Sequence, residues 1–339
     1  MPPKIKHLVF SGGAIKGLSY IGCYKALEDL GLIKNLETCA GCSIGAVFST
    51  LIVLGYTGEE LYDFILHFTY HDIRDLNFLR AFNNYGLETA DKITRFLGAM
   101  IKRKTGNPQI TFAELYQRNP IKLIINATNL NTYKVHYFDH IRSPQMPIIL
   151  ALRMSFSVPF LIKPIVHQKQ FYVDGGLLDN LPVSQVPDSP ESLAFNLEPV
   201  NDLEISYNIQ SLESYVYHVF GCVYTEINQI RMAKIKHIGI IKLDTQEVNS
   251  FSLNLTQEQR IFLFNVGYEA VQKYFSDPIK AVTEIKDRVG ETEFEVKVNE
   301  TPVELHDNKA SGDETTSADK TEMSSLPSSI DEIKPQSMI

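Results

Sequence analysis

Short apolar runs alternate with longer amphipathic segments along most of the chain. Four runs have the length and apolar content of buried strands: His7–Phe10, Thr38–Ala40, Ile121–Ala127 and Ile238–Leu243. Between them, apolar residues recur at the 3.6-residue spacing of a helix face. The helical positions are Tyr20, Cys23, Tyr24, Leu27 and Leu30; Ile44, Val47, Phe48, Leu51 and Ile52; Leu61, Phe64, Ile65 and Phe68; and the segments Asp91–Lys104 and Thr256–Phe275. This alternation predicts an α/β fold whose mainly parallel central sheet carries helices on both faces.

The end of the chain differs from the rest in charge. Residues 291–339 carry 12 acidic and 4 basic residues, whereas the preceding residues carry 28 of each, so the net charge of −8 belongs to this tail. The tail is rich in Ser, Thr and Pro and has few large apolar residues, which is typical of disordered chain. We therefore predict one domain over residues 1–290 and a disordered acidic tail over residues 291–339. The neutral balance of the domain argues against nucleic acid as a partner.

The remaining composition favours a cytoplasmic protein. No signal peptide is visible at the N-terminus, and the apolar stretch Ile44–Tyr56 is shorter than a membrane span. Cys39 and Cys42 have C-x-x-C spacing, but no second pair or His cluster completes a metal site. The four cysteines, which include Cys23 and Cys222, are typical of free thiols in a reducing compartment. We expect no metal, no cofactor and no transmembrane span.

Three glycine-rich stretches carry the candidate chemistry. Gly41–Gly45 is G-x-S-x-G, a pattern that exposes a serine hydroxyl, here that of Ser43, on a tight turn between a strand and a helix. Ser11–Gly17 is a turn whose free N–H groups could bind an oxyanion. Asp174–Gly176 places a carboxylate in a third turn. Together they supply a nucleophile, an oxyanion hole and a base.

Two other interpretations of these turns are weighed against the first. Ser43 could simply cap the helix that follows it, since serine is a preferred N-cap residue. The first turn could cradle a nucleotide phosphate, but G-x-x-x-x-G-K-[ST] is absent because Lys16 is followed by Gly17. The pattern G-x-G-x-x-G is absent there too, so a dinucleotide site is disfavoured.

The order of these motifs resembles that of the patatin-like phospholipase family. Gly12–Gly17, Gly41–Gly45 and Asp174–Gly176 are similar to the family's oxyanion loop, its G-x-S-x-G elbow and its D-G-G turn. Two further stretches resemble the family's Ser- and Pro-containing segment and the continuation of its Asp turn: Ala151–Phe160 and Asn180–Val183. The resemblance implies a three-layer α/β fold and a lipid acyl hydrolase of phospholipase A type. It also implies membrane phospholipid or another acyl lipid as substrate, with peripheral contact at membranes.

The resemblance assigns roles to individual residues. Ser43 would be the nucleophile and Asp174 the base of a Ser–Asp dyad, with N–H groups of Gly12, Gly13 and Ala14 as the oxyanion hole. Six residues would support these motifs: Lys16, Gly17, Gly41, Gly45, Gly175 and Gly176. Ala14 departs from the family, which often has a third glycine. Its methyl group is tolerated at negative φ but would crowd an oxyanion at positive φ.

Two alternatives remain beside the dyad. A Ser–Asp–His triad would need a histidine after Asp174, and none of the three there lies in a glycine-rich loop: His218, His237 and His306. A protein of this fold could also be a catalytically weak or inactive module that binds a lipid or a partner. The departure at Ala14 would then mark the loss of activity.

Overall fold

The computed structural model describes residues 4–67, 85–197, 212–245, 248 and 255–276. The predicted helical position Phe68, the histidine His306 and the acidic tail 291–339 lie outside these residues. Within the described part of the chain, no helix is long and apolar enough to span a membrane.

In the part of the chain that the structure describes, the central sheet has eight strands. In chain order the strands of the molecule are β1 (His7–Phe10), β2 (Thr38–Gly41), β3 (Gly86–Glu88), β4 (Lys122–Asn129), β5 (Lys134–Phe138), β6 (Phe160–Ile162), β7 (Ile165–His167), β8 (Gln170–Asp174), β9 (Ser192–Leu197) and β10 (Gly239–Leu243). The sheet runs in the order β10-β9-β1-β2-β4-β8-β7, and β5 also pairs with β4. The short strands β3 and β6 form a separate parallel pair.

The helices are α1 (Ser19–Asp29), α2 (Ile44–Val53), α3 (Gly58–His67), α4 (Asp91–Thr105), α5 (Phe112–Arg118), α6 (Ile148–Ser155), α7 (Leu212–Met232) and α8 (Gln257–Ser276). Among the described residues, three short 3₁₀ helices cover Ala14–Leu18, Gly175–Leu177 and Val183–Gln185. The predicted α/β alternation is confirmed, and the boundaries of the predicted helices and strands fall close to the observed ones.

The sheet is mixed, although most of it is parallel. Strands β10, β9, β1, β2 and β4 are parallel to one another in that order, which gives the mainly parallel sheet that was predicted, although β9 itself was not predicted. Strands β5, β8 and β7 join antiparallel and were not predicted. The buried strand predicted from Ile121 continues to Asn129, four residues beyond Ile125, which pairs with Gly41.

Both faces of the sheet are covered. Side chains alternate between the two faces along each strand, and those of β1 are buried on both. Leu8 and Phe10 belong to a large buried cluster that also contains residues of α1, α2, α6 and α8. Val9 belongs to a smaller cluster on the other face, together with Leu181 and Ile235. This packing gives the three-layer architecture expected from the sequence.

The glycine-rich turns meet at one edge of the sheet. The first turn follows β1 and the G-x-S-x-G turn follows β2, so both leave the carboxyl ends of neighbouring parallel strands. Beyond β1 the strand order reverses, since β2 lies on one side of it and β9 on the other. Crevices at such reversals are the usual ligand sites of open α/β sheets.

Candidate active site

Ser43 lies on a strained turn between β2 and α2. Its backbone angles are φ 53° and ψ −120°, a region that a residue with a side chain rarely occupies. Such a conformation costs about 1–3 kcal/mol and persists only where the surroundings hold it. Ser43 occupies the N-cap position of α2, but its side chain makes no capping bond there, so the hydroxyl does not serve as the helix cap that the alternative interpretation required. The turn has the strand–turn–helix context expected of a nucleophile elbow.

The glycines on either side of Ser43 allow the close packing of the turn. A Cβ atom at Gly41 would collide with the carbonyl of Gly45, and one at Gly45 would collide with the carbonyl of Phe10. The elbow therefore lies directly against its own backbone and against the end of β1. Side chains at these two positions would force the turn open.

Ser155, at the end of α6, holds the backbone of the elbow. The N–H of Ser43 donates a hydrogen bond to Ser155 Oγ at 2.9 Å, and both residues are buried. This bond satisfies a polar group that the strained turn removes from water. Ser155 lies in the Ala151–Phe160 stretch, but its role was not assigned from the sequence. The available signal was the alternation of polar and apolar residues over Arg153–Ser157, at the end of an otherwise apolar helix.

The same segment also positions Asp174. The N–H of Asp174 donates to Ser157 O at 2.9 Å, and the hydroxyl of Ser157 accepts from Arg153 Nη1 at 2.6 Å. Arg153 Nη2 donates to the carbonyls of Thr89 and Lys163. Burial lowers the pKa of Arg153 to about 10, which still leaves it charged at neutral pH. Arg153 therefore fixes Ser157, and through it the backbone of the candidate base.

Asp174 ends β8 with its carboxylate buried beside Ser43. Oδ1 accepts the Gly176 N–H at 2.7 Å and lies 3.6 Å from Cys42 Sγ, whose S–H donates to it. Burial raises the pKa of Asp174 to about 6, and hydrogen bonds from Gly176 N–H, the Ser43 hydroxyl and Cys42 oppose that rise. The carboxylate is therefore ionised at neutral pH but is a stronger base than a solvated aspartate.

The glycine-rich loop lies against Ser43 and is fixed from two sides. A Cβ atom at Gly12 would lie 3.3 Å from Ser43 Cβ. Asn180 holds Gly12 through two hydrogen bonds. The side-chain Nδ2 of Asn180 donates to Gly12 O at 3.1 Å, and the backbone carbonyl of Asn180 accepts the Gly12 N–H at 3.2 Å. Ser11 is buried and bonded to Tyr20 Oη at 2.8 Å. The bonds to Asn180 join the loop to the segment that follows Asp174, and the bond to Tyr20 joins it to α1.

These contacts reduce the number of N–H groups that are available as donors in the expected oxyanion hole. The Gly12 N–H is already donated to Asn180, so it is not available to a ligand. Gly13 and Ala14 precede and begin the 3₁₀ helix Ala14–Leu18, and within the described residues their N–H groups have no acceptor. Ala14 has φ 50°, the positive value at which its methyl group was expected to crowd an oxyanion. The departure from glycine therefore occurs at a left-handed position.

The residues expected to support the motifs lie around this centre. Lys16 is buried, and a Cβ atom at Gly17 would collide with Ile44 in the first turn of α2. A Cβ atom at Gly175 would lie 2.5 Å from Asn126 Oδ1, and one at Gly176 would lie 3.0 Å from Asp174 Oδ1. The D-G-G turn thus brings its backbone next to the carboxylate.

The cysteines and histidines do not add a second centre. Cys39 and Cys42 are buried free thiols, and burial followed by the charge of Asp174 raises the pKa of Cys42 well above its usual range. Among the described residues, no group of three or more His, Cys, Asp or Glu side chains is arranged to hold a metal. His237 is exposed and donates its backbone N–H to Asp188, and His218 belongs to α7.

Comparisons with known proteins agree with this architecture. The family model described as patatin-like phospholipase matches residues 8–187. A probable lipid hydrolase of Invertebrate iridescent virus 6 is 30% identical over 280 residues, 79% of this chain and 88% of its own. An uncharacterized protein of Acanthamoeba polyphaga mimivirus is 27% identical over 283 residues, 80% of this chain and 93% of its own. VipD from Legionella pneumophila shares the fold, with a TM-score of 0.53 and 18% identity over 81% of this chain and 67% of its own.

Proposed function

Because the chain belongs to the patatin-like phospholipase family, we propose that it is a lipid acyl hydrolase of phospholipase A type that uses Ser43 and Asp174. The observation that carries this proposal is the buried carboxylate of Asp174 next to the strained turn of Ser43, where the thiol of Cys42, the residue before Ser43, donates to Asp174 Oδ1 at 3.6 Å. The Ser43 hydroxyl also opposes the rise in the pKa of Asp174 that burial causes. The family and the probable lipid hydrolase among its relatives support a lipid ester as the substrate. Cleavage of phospholipid, and peripheral contact with the membrane that contains it, are parts of the proposal.

The proposed reaction has two steps. Ser43 Oγ attacks the ester carbonyl carbon while Asp174 takes the hydroxyl proton, and the carbonyl electron pair moves to oxygen. The N–H groups of Gly13 and Ala14 are the proposed donors to that oxyanion, and the methyl group of Ala14, at its positive φ, crowds it and limits the rate. Its collapse breaks the ester C–O bond, and the leaving alcohol takes the proton from Asp174. Water, deprotonated by Asp174, then attacks the acyl-serine, and the proton returns to Ser43 as the fatty acid leaves.

Hydrolysis of a soluble short-chain ester tests the chemistry without a membrane. Ser43→Ala should abolish turnover, and Asp174→Asn should lower kcat by roughly 10²–10⁴-fold, the contribution of a general base. His237→Ala should leave kcat unchanged, and turnover should persist in EDTA. Equal losses for His237→Ala and Asp174→Asn would replace the dyad with a triad. A wild-type chain without turnover would favour the inactive binding module.

A further inference from the structure

Two neighbouring turns expose apolar side chains at the carboxyl edge of the sheet. The turn after β4 exposes Leu130 and Tyr133, which is 85% exposed, and the β7–β8 hairpin exposes Val166 and Phe171. Val166 pairs directly with Phe171, and the Leu130 N–H donates to Phe171 O at 2.9 Å. We call these four residues the turn patch. These contacts join Leu130, Val166 and Phe171 into one surface, and Tyr133 lies in the same turn as Leu130.

The turn patch is held in shape by side chains of the two turns. Asn131 Oδ1 accepts the Phe171 N–H at 2.7 Å, and Asn129 Nδ2 donates to Gln170 Oε1 at 2.6 Å. Tyr172, the next residue along β8, is buried on the opposite face of the hairpin. The hairpin therefore has one face in the core and presents its other apolar face to solvent.

The turn patch is bordered by positive charge. Lys134 and Lys169 are exposed, and the stretches 129–134 and 165–171 contain no Asp or Glu, although residues 1–290 carry acidic and basic residues in equal number. Within the described residues, neither lysine forms an ion pair with a carboxylate. Aromatic and aliphatic side chains beside lysines are typical of surfaces that lie at a membrane interface.

The position of the turn patch relates it to the candidate active site. Strand β4 continues four residues past Ile125, the partner of Gly41 in the elbow, so the patch stands about 13 Å beyond the elbow at 3.3 Å per residue. Strand β8 runs from the patch to Asp174, three residues after Phe171. A surface that contacts the patch would therefore face the same edge of the sheet as Ser43.

We propose that the turn patch docks the protein on an anionic phospholipid surface, with Leu130, Tyr133, Val166 and Phe171 in the interface and Lys134 and Lys169 against the headgroups. This inference rests on the proposed function, because it supplies the surface from which the lipid ester reaches Ser43. A second copy of the chain fits the patch less well. A two-fold contact would place the patch against itself and bring lysines together.

Vesicle flotation of the full-length Ser43→Ala chain tests the charge component. Vesicles of phosphatidylcholine alone are compared with phosphatidylcholine mixed with phosphatidylserine. The double variant Lys134→Gln/Lys169→Gln should bind the mixed vesicles roughly 30-fold more weakly at low salt, at about 1 kcal/mol for each lysine. Lys234→Gln/Lys236→Gln removes the same charge from exposed positions before β10, at the opposite edge of the sheet, and should bind like the parent.

A second pair of variants tests the apolar component. Val166→Thr/Phe171→Thr should weaken binding to both vesicle types, whereas Ile141→Thr, an exposed residue beyond the far end of β5, should not. Equal losses in the patch and control variants, or equal binding of the parent to both vesicle types, would overturn the proposal. So would a dimer of the parent chain that the patch variants dissociate, since the patch would then bind a second copy. Because the Ser43→Ala chain cannot turn over substrate, these results stand apart from the ester assay.

Discussion

The carboxylate of Asp174 is buried and accepts hydrogen bonds from the Gly176 N–H and the Cys42 thiol, yet its pKa lies at about 6, above the value of 3.8 for a solvated aspartate. The folded state therefore holds this proton more tightly than the unfolded state does. Below pH 3.8 the carboxyl is protonated in both states and does not lower the free energy of unfolding. As the pH rises from 3.8 to 6 the free energy of unfolding falls, and above pH 6 the loss is constant. Such a penalty is common where a group serves chemistry rather than folding.

Asp174→Asn should therefore stabilise the protein at neutral pH. Asn keeps an oxygen for the Gly176 N–H and removes the buried charge, so the free energy of unfolding should rise by up to roughly 3 kcal/mol above pH 6. The gain should shrink as the pH falls towards 4. Urea unfolding of parent and variant across this range measures it.

Asp188 supplies a control with the opposite sign. Burial opposes its charge, but hydrogen bonds from the N–H groups of residues 236–238 outweigh that effect and lower its pKa. Ionised Asp188 therefore adds stability that is lost only in acid, and Asp188→Asn should destabilise the protein at neutral pH. Destabilisation by Asp174→Asn above pH 6 would contradict the account of Asp174.

At the scale of elements, α6 and the residues after it join the two parts of the candidate site. Ser155→Ala would leave the Ser43 N–H buried without an acceptor, which costs about 1–3 kcal/mol. The strained turn should then relax, so we expect kcat for the soluble ester to fall with little change in KM. Steady-state kinetics and a melting curve on the same variant measure both effects.

Ser49 provides the matched control for Ser155. It is also a buried serine, on the helix α2 that follows the elbow, but within the described residues its Oγ has no hydrogen-bond partner. Ser49→Ala should therefore leave kcat unchanged and should not lower the melting temperature. If both substitutions reduced kcat equally, a general loss of packing, and not the bond to Ser43, would explain the result.

The elements that the sequence predicted are those with strong local signals. Strands β1 and β2 are short runs in which every residue is buried, and the glycines around Ser43 mark the turn into α2. The β7–β8 hairpin was missed because its turn residues, Gln168 and Lys169, have positive φ without the Asn-Gly or Gly signal that usually marks such a turn. The bond from Ser43 to Ser155 was missed because it joins residues 112 positions apart.

At the scale of the whole molecule, the order of the motifs predicted more than any one motif did. The G-x-S-x-G turn alone left a helix cap open, and only the fold brings Asp174 beside it, through an antiparallel strand that the sequence did not indicate. The expected oxyanion set also needed the structure. Nothing in the sequence indicates that the Gly12 N–H has an acceptor, but in the structure it donates to the backbone carbonyl of Asn180. The predicted tail 291–339 remains a prediction from composition.

The most direct test of the proposed dyad is covalent labelling by an organophosphonate, because the reagent reports the nucleophile and the proton acceptor together. The full-length protein is labelled between pH 4.5 and 8.5, and the modified residue is mapped by mass spectrometry. The account predicts one label, on Ser43, formed at a rate that rises with pH around an apparent pKa of about 6 and is much slower in Asp174→Asn. A label on another residue, or labelling of Ser43 at the same rate in Asp174→Asn, would contradict it.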